Sequence, residues 1–277
     1  VANSVATIKL VSLTNDTYSV TIQGIKTEVE AQTSTTYDDF LVDDSSSTNT
    51  NHHLVDALHA TITAQHTASN ADFAGKWYLE AYPNSLVIKR TSGSNEVITD
   101  YSTTTGTATA FTIEGKGGTA NLALEVFQDS VTNSSKLPAE SFDGHHVKIN
   151  NTSSADDDYF LQYEAFNDPD SGKVKRGKGF WKEAVARDVS PGLDAATMPY
   201  QLENTGDTTF TFKQISWTAR ETGDENTNPK PSFIDYPITG TFFYNNRFGV
   251  LSEDNIFFGR ANDSFNFFVK SALAQTD

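Results

Sequence analysis

Eleven aromatic residues fall between Phe233 and Phe268, and they come in short runs separated by turn chemistry. Residues 239–244, 247–251, 255–260 and 265–268 read as strands, with Asn245-Asn246, residues 252–254 and residues 261–264 as the turns between them. Asparagine tolerates positive φ, so Asn245-Asn246 suits a tight hairpin. The pattern predicts a four-strand antiparallel meander. Along it Phe242 and Tyr244 face one way and Phe243 the other, while Ile256 and Phe258 oppose Phe257. A sheet with two apolar faces must be covered on both. Stacking as a blade between other blades, as in a propeller, is one solution; the core of an ordinary sandwich is the other.

Upstream, Phe210, Phe212, Ile215 and Trp217 alternate as a strand face does. Residues 223–231 then collect Gly, Asp, Asn and Thr with Pro229 and Pro231, which fix φ and give up their N–H groups. Asp224, Glu225, Asn226 and Asn228 make this loop rich in oxygen, yet their spacing matches no cation-binding pattern. The expectation is a structural loop that satisfies its own backbone through Asx turns.

The N-terminal part alternates between strand and loop signals. Residues 5–12 and 17–31 read as strands, the second interrupted at Gly24 by a hairpin turn or a bulge. Residues 32–50 are dominated by Ser, Thr and Asp and predict a loop with a short strand at 40–42. Residues 51–66 give the one convincing helix, because Leu54, Leu58 and Ile62 recur every four residues with Val55 beside them. Its His52, His59 and His66 are spaced seven apart, roughly 10 Å of helix rise, too far for one ion. They read as a half-exposed stripe, and His53 points elsewhere. Residues 74–82 and 86–91 predict a hairpin, and 96–101 a further strand. The first 120 residues therefore read as a small α+β domain with one helix on a sheet. Residues 121–277 read as an all-β domain, continuing in a longer polypeptide.

Between these parts, residues 103–109 form a Thr/Gly-rich linker or exposed loop, and residues 120–131 alternate as a strand or a short helix. Residues 145–150 and 158–165 read as strands, with His145 and His146 on opposite faces and so unable to share a ligand. Asp156-Asp157-Asp158 reads as a solvated turn. Asp168 and Asp170, followed by Lys173, Lys175, Arg176 and Lys178, read as a charged hairpin tip, alternatively a contact patch for an acidic neighbour.

Composition narrows the function. The 277 residues contain no cysteine, which excludes thiol catalysis and Cys-based metal sites within them. No run of 18 apolar residues exists, so no helical membrane span is expected. The formal net charge of −16 opposes tight binding to a polyanion, which needs Lys and Arg at the phosphates. The charge is sufficient to keep a protein soluble, and it also suits a wall past which nucleic acid slides without sticking.

A resemblance adds to this. In order the chain carries Leu137-Pro138, Gly144, Val147-Lys148-Ile149, Asp157-Asp158-Tyr159-Phe160, Gly179-Phe180-Trp181-Lys182-Glu183 and Ala196-Thr197-Met198-Pro199. It continues with Phe210-Thr211-Phe212, Trp217, Arg220-Glu221, Gly223-Asp224-Glu225-Asn226-Thr227-Asn228-Pro229, Pro231-Ser232-Phe233, Phe242-Phe243-Tyr244-Asn245-Asn246-Arg247-Phe248-Gly249, Ser252-Glu253-Asp254-Asn255-Ile256 and Phe265-Asn266-Phe267-Phe268. This series, from about residue 137 to 268, resembles the tail tubular protein B family, the nozzle proteins of short-tailed, podovirus-type bacteriophages. The resemblance implies a longer chain and a virion structural protein of the tail. It implies a homo-hexameric ring that forms the DNA exit conduit, passes genomic DNA without specific binding, meets a tail adaptor protein and docks tail fibres.

No hydrolase, zinc-protease or nucleotide-binding motif occurs, so no catalytic, metal or cofactor residues are assigned and the chain is not expected to be an enzyme. The alternative is a carbohydrate-binding or polysaccharide-degrading tail module. Paired carboxylates would do the chemistry, and Trp77, Tyr78 and Tyr82 would form a stacking platform, against burial of those rings in the first domain.

Overall fold

A computed structural model describes residues 5–12, 16–22, 25–31, 50–69, 77–92, 96–97, 113–150, 158–166, 176–187 and 189–273. The fold is mainly β, with antiparallel sheets and one α-helix among the described residues. The expected strand at 40–42, residues 98–101 of the strand expected at 96–101, the linker at 103–109, Asp156, Asp157 and residues 168–175 of the charged run 168–178 lie outside the described residues. The chain forms two compact units, residues 1–149 with 162–181, and residues 150–161 with 182–277.

The first unit begins with β1 (Val5–Leu10), β2 (Asp16–Ile22) and β3 (Ile25–Ala31), followed by α1 (Thr50–Ser69). Ile22 stands opposite Ile25, so the sequence break near Gly24 separates two hairpin strands. Next come β4 (Trp77–Tyr82), β5 (Ser85–Ser92), β6 (Glu96–Val97), β7 (Ile113–Lys116) and β8 (Leu124–Phe127). One sheet runs β4-β5-β1-β8 with β6 beside β5; a second runs β3-β2-β7. The helix buries Leu54, Val55, Leu58 and Ile62, the positions its four-residue period selects. They pack against Ile8 and Ile88 of one sheet and Tyr18 and Val20 of the other. At roughly 1.5–3 kcal/mol for each large apolar side chain taken from water, this core is the main stabiliser of the unit.

The strand-or-helix stretch after residue 120 resolves into β8 and the short strand β9 (Ser130–Val131). Beyond it lie β10 (Ser141–Phe142), β11 (His146–Ile149), β12 (Tyr159–Ala165), β13 (Arg176–Gly177) and β14 (Gly179–Ala184). The order β14-β12-β11-β9 makes a four-stranded sheet in which β9 and β11 are parallel, and β10 pairs with β13. His145 is buried and accepts or donates at Nδ1 to Ser141 Oγ at 2.7 Å, its ring stacked on Phe142. His146 is half-buried on the other side of the strand. Trp181 Nε1 donates to the Pro138 carbonyl oxygen at 2.9 Å, which anchors the Leu137-Pro138 break.

The second unit contains the β15 (Tyr200–Gly206) and β16 (Thr209–Gln214) hairpin, then β17 (Ile238–Tyr244), β18 (Arg247–Ser252) and β19 (Asn255–Phe258) in one sheet. Asn245 and Asn246 have φ of 48° and 57°, the paired left-handed conformation that the tight-hairpin reading requires. Two expectations need correction. Ile215 and Trp217 continue the alternation in sequence but lie beyond the end of β16. Residues 265–268 are not a fourth strand of the meander. Their backbone is satisfied otherwise: Arg260 N–H donates to Asn266 O, Thr218 N–H to Phe265 O, and Phe268 N–H to the Asn266 side chain. Local bonds to an Asn side chain replaced the ladder.

Candidate assembly surface

Strand register sorts the side chains of the second unit into faces. On the β17–β19 sheet, Thr241, Val250 and Phe257 align, with Phe243 and Phe248 beside them. Val250, Phe248 and Phe257 belong to a core with Met198 and Phe233, and Phe233 meets Phe257 and Phe267 edge-on at 5.2 and 5.0 Å. The opposite face presents Phe242, Tyr244, Gly249, Leu251, Ile256 and Phe258. Here Tyr244 is 62% exposed and Ile256 59%. Phe242 lies over Gly249 and meets Phe258 edge-on at 5.4 Å. Of the two apolar faces expected from the sequence, one packs into a core of the unit at Phe248, Val250 and Phe257 while its Phe243 stays 73% exposed, and the other is open at Tyr244, Ile256 and Phe258.

The β15–β16 hairpin shows the same asymmetry more strongly. Leu202 stands opposite Phe212, Asn204 opposite Phe210 and Tyr200 opposite Gln214, all on one face. Leu202 is 66% exposed, Phe210 58% and Phe212 70%. Tyr200 stacks on Phe212 at 5.1 Å, and its hydroxyl accepts from Gln214 Nε2. The other face carries Gln201, Thr211 and an ion pair between Lys213 and Glu203. A two-stranded ribbon with one aromatic face in water is marginal by itself, and clustered apolar exposure of this kind marks an interaction site. The alternation of Tyr200, Leu202 and Asn204 ahead of Gly206-Asp207 was the sequence signal for β15, and the reading of Phe210 and Phe212 alone missed it.

The loop 223–231 is the structural element its composition predicts. Asp224 Oδ1 accepts from the Asn226 and Thr227 N–H groups at 2.9 Å each, an Asx-type closure. Gly223 has φ of +79°, and an added Cβ would sit 2.6 Å from Thr227 Oγ1. Asn228 donates to Thr222 O and accepts from Val269 N–H. Glu183 accepts from Ser271 Oγ at 2.6 Å and Ala272 N–H at 2.9 Å. Arg220, unforeseen as a core residue, is fully buried. Its Nη2 donates to Glu225 Oε1 at 2.6 Å and its guanidinium lies over the Phe268 ring. Partial burial works against ionisation of Glu225. Hydrogen bonds from Arg220 and the Lys230 N–H, with both positive charges, outweigh it and hold the carboxyl below its ordinary range.

The other residues singled out from sequence do not converge. His59 is half-buried, with Nε2 3.4 Å from the Leu79 carbonyl oxygen; the side chains of His52, His53 and His66 lie outside the described residues. Asp158 is buried rather than solvated, and the Asn150 amide, turned to donate, reaches its carboxylate at 3.2 Å. Tyr82 is buried with its hydroxyl donating to Glu80 at 2.5 Å, so it offers no stacking face to a sugar. The side chains of Trp77 and Tyr78 are not among those described. Among the described residues no three His, Cys, Asp or Glu side chains are grouped to hold a metal ion, and no helix is long and apolar enough to cross a membrane.

Comparison with known proteins bears on this surface. The profile of a family described as "Bacteriophage nozzle protein" matches residues 2–277. A curated relative, "Tail tubular protein gp12" of Escherichia phage T7, is 32% identical over 163 residues. That match covers 58% of this chain and 19% of the relative's length, so the matched stretch spans about a fifth of that protein.

Proposed function

The chain belongs to the bacteriophage nozzle protein family, a structural component of the virion tail, and from that premise we propose that it is a wall subunit of the tail nozzle. Copies close into a ring, a hexamer as the resemblance implies, around the path by which DNA leaves the virion. The ring seats on a tail adaptor protein and offers a dock for tail fibres. DNA passes without being gripped, because a chain of net charge −16 repels phosphate along its length.

The observation that supports this reading is the pair of open aromatic faces in the second unit, on the β15–β16 hairpin and on the β17–β19 sheet. A subunit that works by contact needs such faces. Native mass spectrometry or electron microscopy of the full-length protein with its adaptor should show a closed ring; a monomer under those conditions would refute the proposal. On the same reading the protein turns over no substrate, so incubation with host capsule should release no soluble polysaccharide.

A further inference from the structure

We propose that residues 268–273 form a strap that undocks from the second unit as one piece while the β17–β19 sheet stays folded. The buried Arg220 guanidinium is the seat from which it lifts. The inference concerns a single subunit and stands apart from the ring reading above.

Three observations carry it. First, the bonding changes character at one point in the chain. Up to Asn266 the segment is tied backbone to backbone: Thr218 N–H donates to Phe265 O and Arg260 N–H to Asn266 O. The Phe267 ring meets Phe233 at 5.0 Å. From Phe268 onward, side chains supply the ties. Val269 N–H donates to Asn228 Oδ1 at 2.9 Å, and Asn228 Nδ2 donates to Val269 O at 3.3 Å. Glu183 accepts from Ser271 Oγ and Ala272 N–H on its two carboxylate oxygens, at 2.6 and 2.9 Å. The N–H groups of Phe268 and Leu273 donate to side chains two residues back, Asn266 and Ser271. Asn228 of the 223–231 loop and Glu183 of β14 thus act as two clips on one short segment.

Second, its apolar anchoring is thin. Phe268 is buried, but Val269 and Leu273 are exposed. Few buried apolar contacts and no ladder mark a segment that opens at a lower free energy than the sheet beside it.

Third, what Phe268 covers favours release. Its ring centre lies 5.2 Å from the Arg220 guanidinium. Nε and Nη1 of that group are buried and have no hydrogen-bond partner among the described residues. A buried donor left unsatisfied carries its full desolvation penalty, and two such penalties exceed what one cation–π contact returns. Lifting Phe268 hydrates both donors, while Nη2 keeps Glu225, whose side chain already faces water. Burial of the ring favours the docked strap and desolvation of the cation opposes it, so the two offset.

Amide hydrogen exchange read by mass spectrometry on the full-length protein tests this. Peptides spanning 268–273 should exchange roughly 100-fold faster than those of β17 and β18. Glu183→Ala and Asn228→Ala each remove a clip and should speed the strap about tenfold while leaving the sheet peptides unchanged. Arg220→Met removes the unsatisfied donors, keeps an apolar stem under Phe268 and should slow the strap severalfold. Asn228 also donates to Thr222 O, so Glu183→Ala decides the matter if Asn228→Ala does not fold. Strap peptides that exchange in step with the sheet would overturn the proposal, as would Glu183→Ala speeding strap and sheet alike. Strap exchange unchanged or faster in Arg220→Met would overturn it too, because the cation would then not oppose docking.

Discussion

Removing Glu225 should destabilise the second unit more than removing Arg220, although Arg220 is the buried member of the pair. The guanidinium is fully enclosed, while the Glu225 side chain is 51% exposed. Among the described residues Nε and Nη1 of Arg220 have no hydrogen-bond partner, so the carboxylate is its chief countercharge. Glu225→Ala leaves a buried cation without it. Stranding one member of a buried pair costs about 3–5 kcal/mol, and since water can reach this carboxylate position we expect about 2–3 kcal/mol. Arg220→Met deletes the charge and keeps an apolar stem against Phe268; Glu225 then returns to water, and the expected cost is about 1 kcal/mol or less. The double variant should match Arg220→Met alone, because no cation remains to be stranded.

Urea unfolding followed by tryptophan fluorescence reads this order as midpoints at unchanged m. A larger loss in Arg220→Met than in Glu225→Ala, or a double variant costing the sum of the two, would refute the reasoning. A pH arm follows from the lowered pKa of Glu225. Its carboxyl ionises more readily folded than unfolded, so its stabilisation is fully present above the ordinary value of 4.5 and is lost as pH falls through the lower folded value. Glu225→Gln should flatten that part of the stability curve by lowering stability at neutral pH, and leave the acid end nearly unaffected.

Other substitutions test other contacts. Gly179→Ala would place a Cβ 2.2 Å from the Glu164 carbonyl oxygen, so β12 and β14 must part; we expect a loss of about 3 kcal/mol in urea unfolding, at the upper end for overpacking. Trp181→Phe removes the donor to Pro138 O and should cost about 1–2 kcal/mol, measured the same way. Leu202→Asn with Phe212→Asn should leave stability in urea unfolding within about 0.5 kcal/mol, as surface changes do.

What the sequence made legible was local. Asn245-Asn246 could be read as a hairpin because two consecutive residues that tolerate positive φ have few other uses between apolar runs. The helix could be read because Leu54, Leu58 and Ile62 repeat at its own period. Asp224 announced its Asx closure through the Thr and Asn that follow it. What failed depended on partners distant in the chain. Residues 265–268 have strand-like aromatics, yet Asn266 and Asn228 side chains take the bonds a neighbouring strand would have made. Asp158 looked solvated because nothing adjacent shows that Asn150 turns toward it. The burial of Arg220 has no local sequence signal because it requires Phe268 and the 223–231 loop to fold over it. The pairing of β1 with both β5 and β8 likewise spans stretches too long for periodicity to report.

The open faces and the acidic composition belong to one physical problem. A chain with 36 acidic against 20 basic residues repels its own copies, so association through charged surface is opposed at every approach. Aromatic faces escape that penalty, since burying them gains the same free energy whatever the net charge of the partner. The second unit keeps such residues where register, rather than accident, puts them. Strand alternation directs Leu202, Phe210 and Phe212 to one side and Glu203 and Lys213 to the other. It likewise separates Phe242, Ile256 and Phe258 from Phe248, Val250 and Phe257, which the unit buries for itself. A monomeric domain would be expected to carry Thr, Lys and Glu at the first set of positions, as the far side of this same hairpin does. Their replacement by rings on two separate elements marks both as surfaces suited to a further contact.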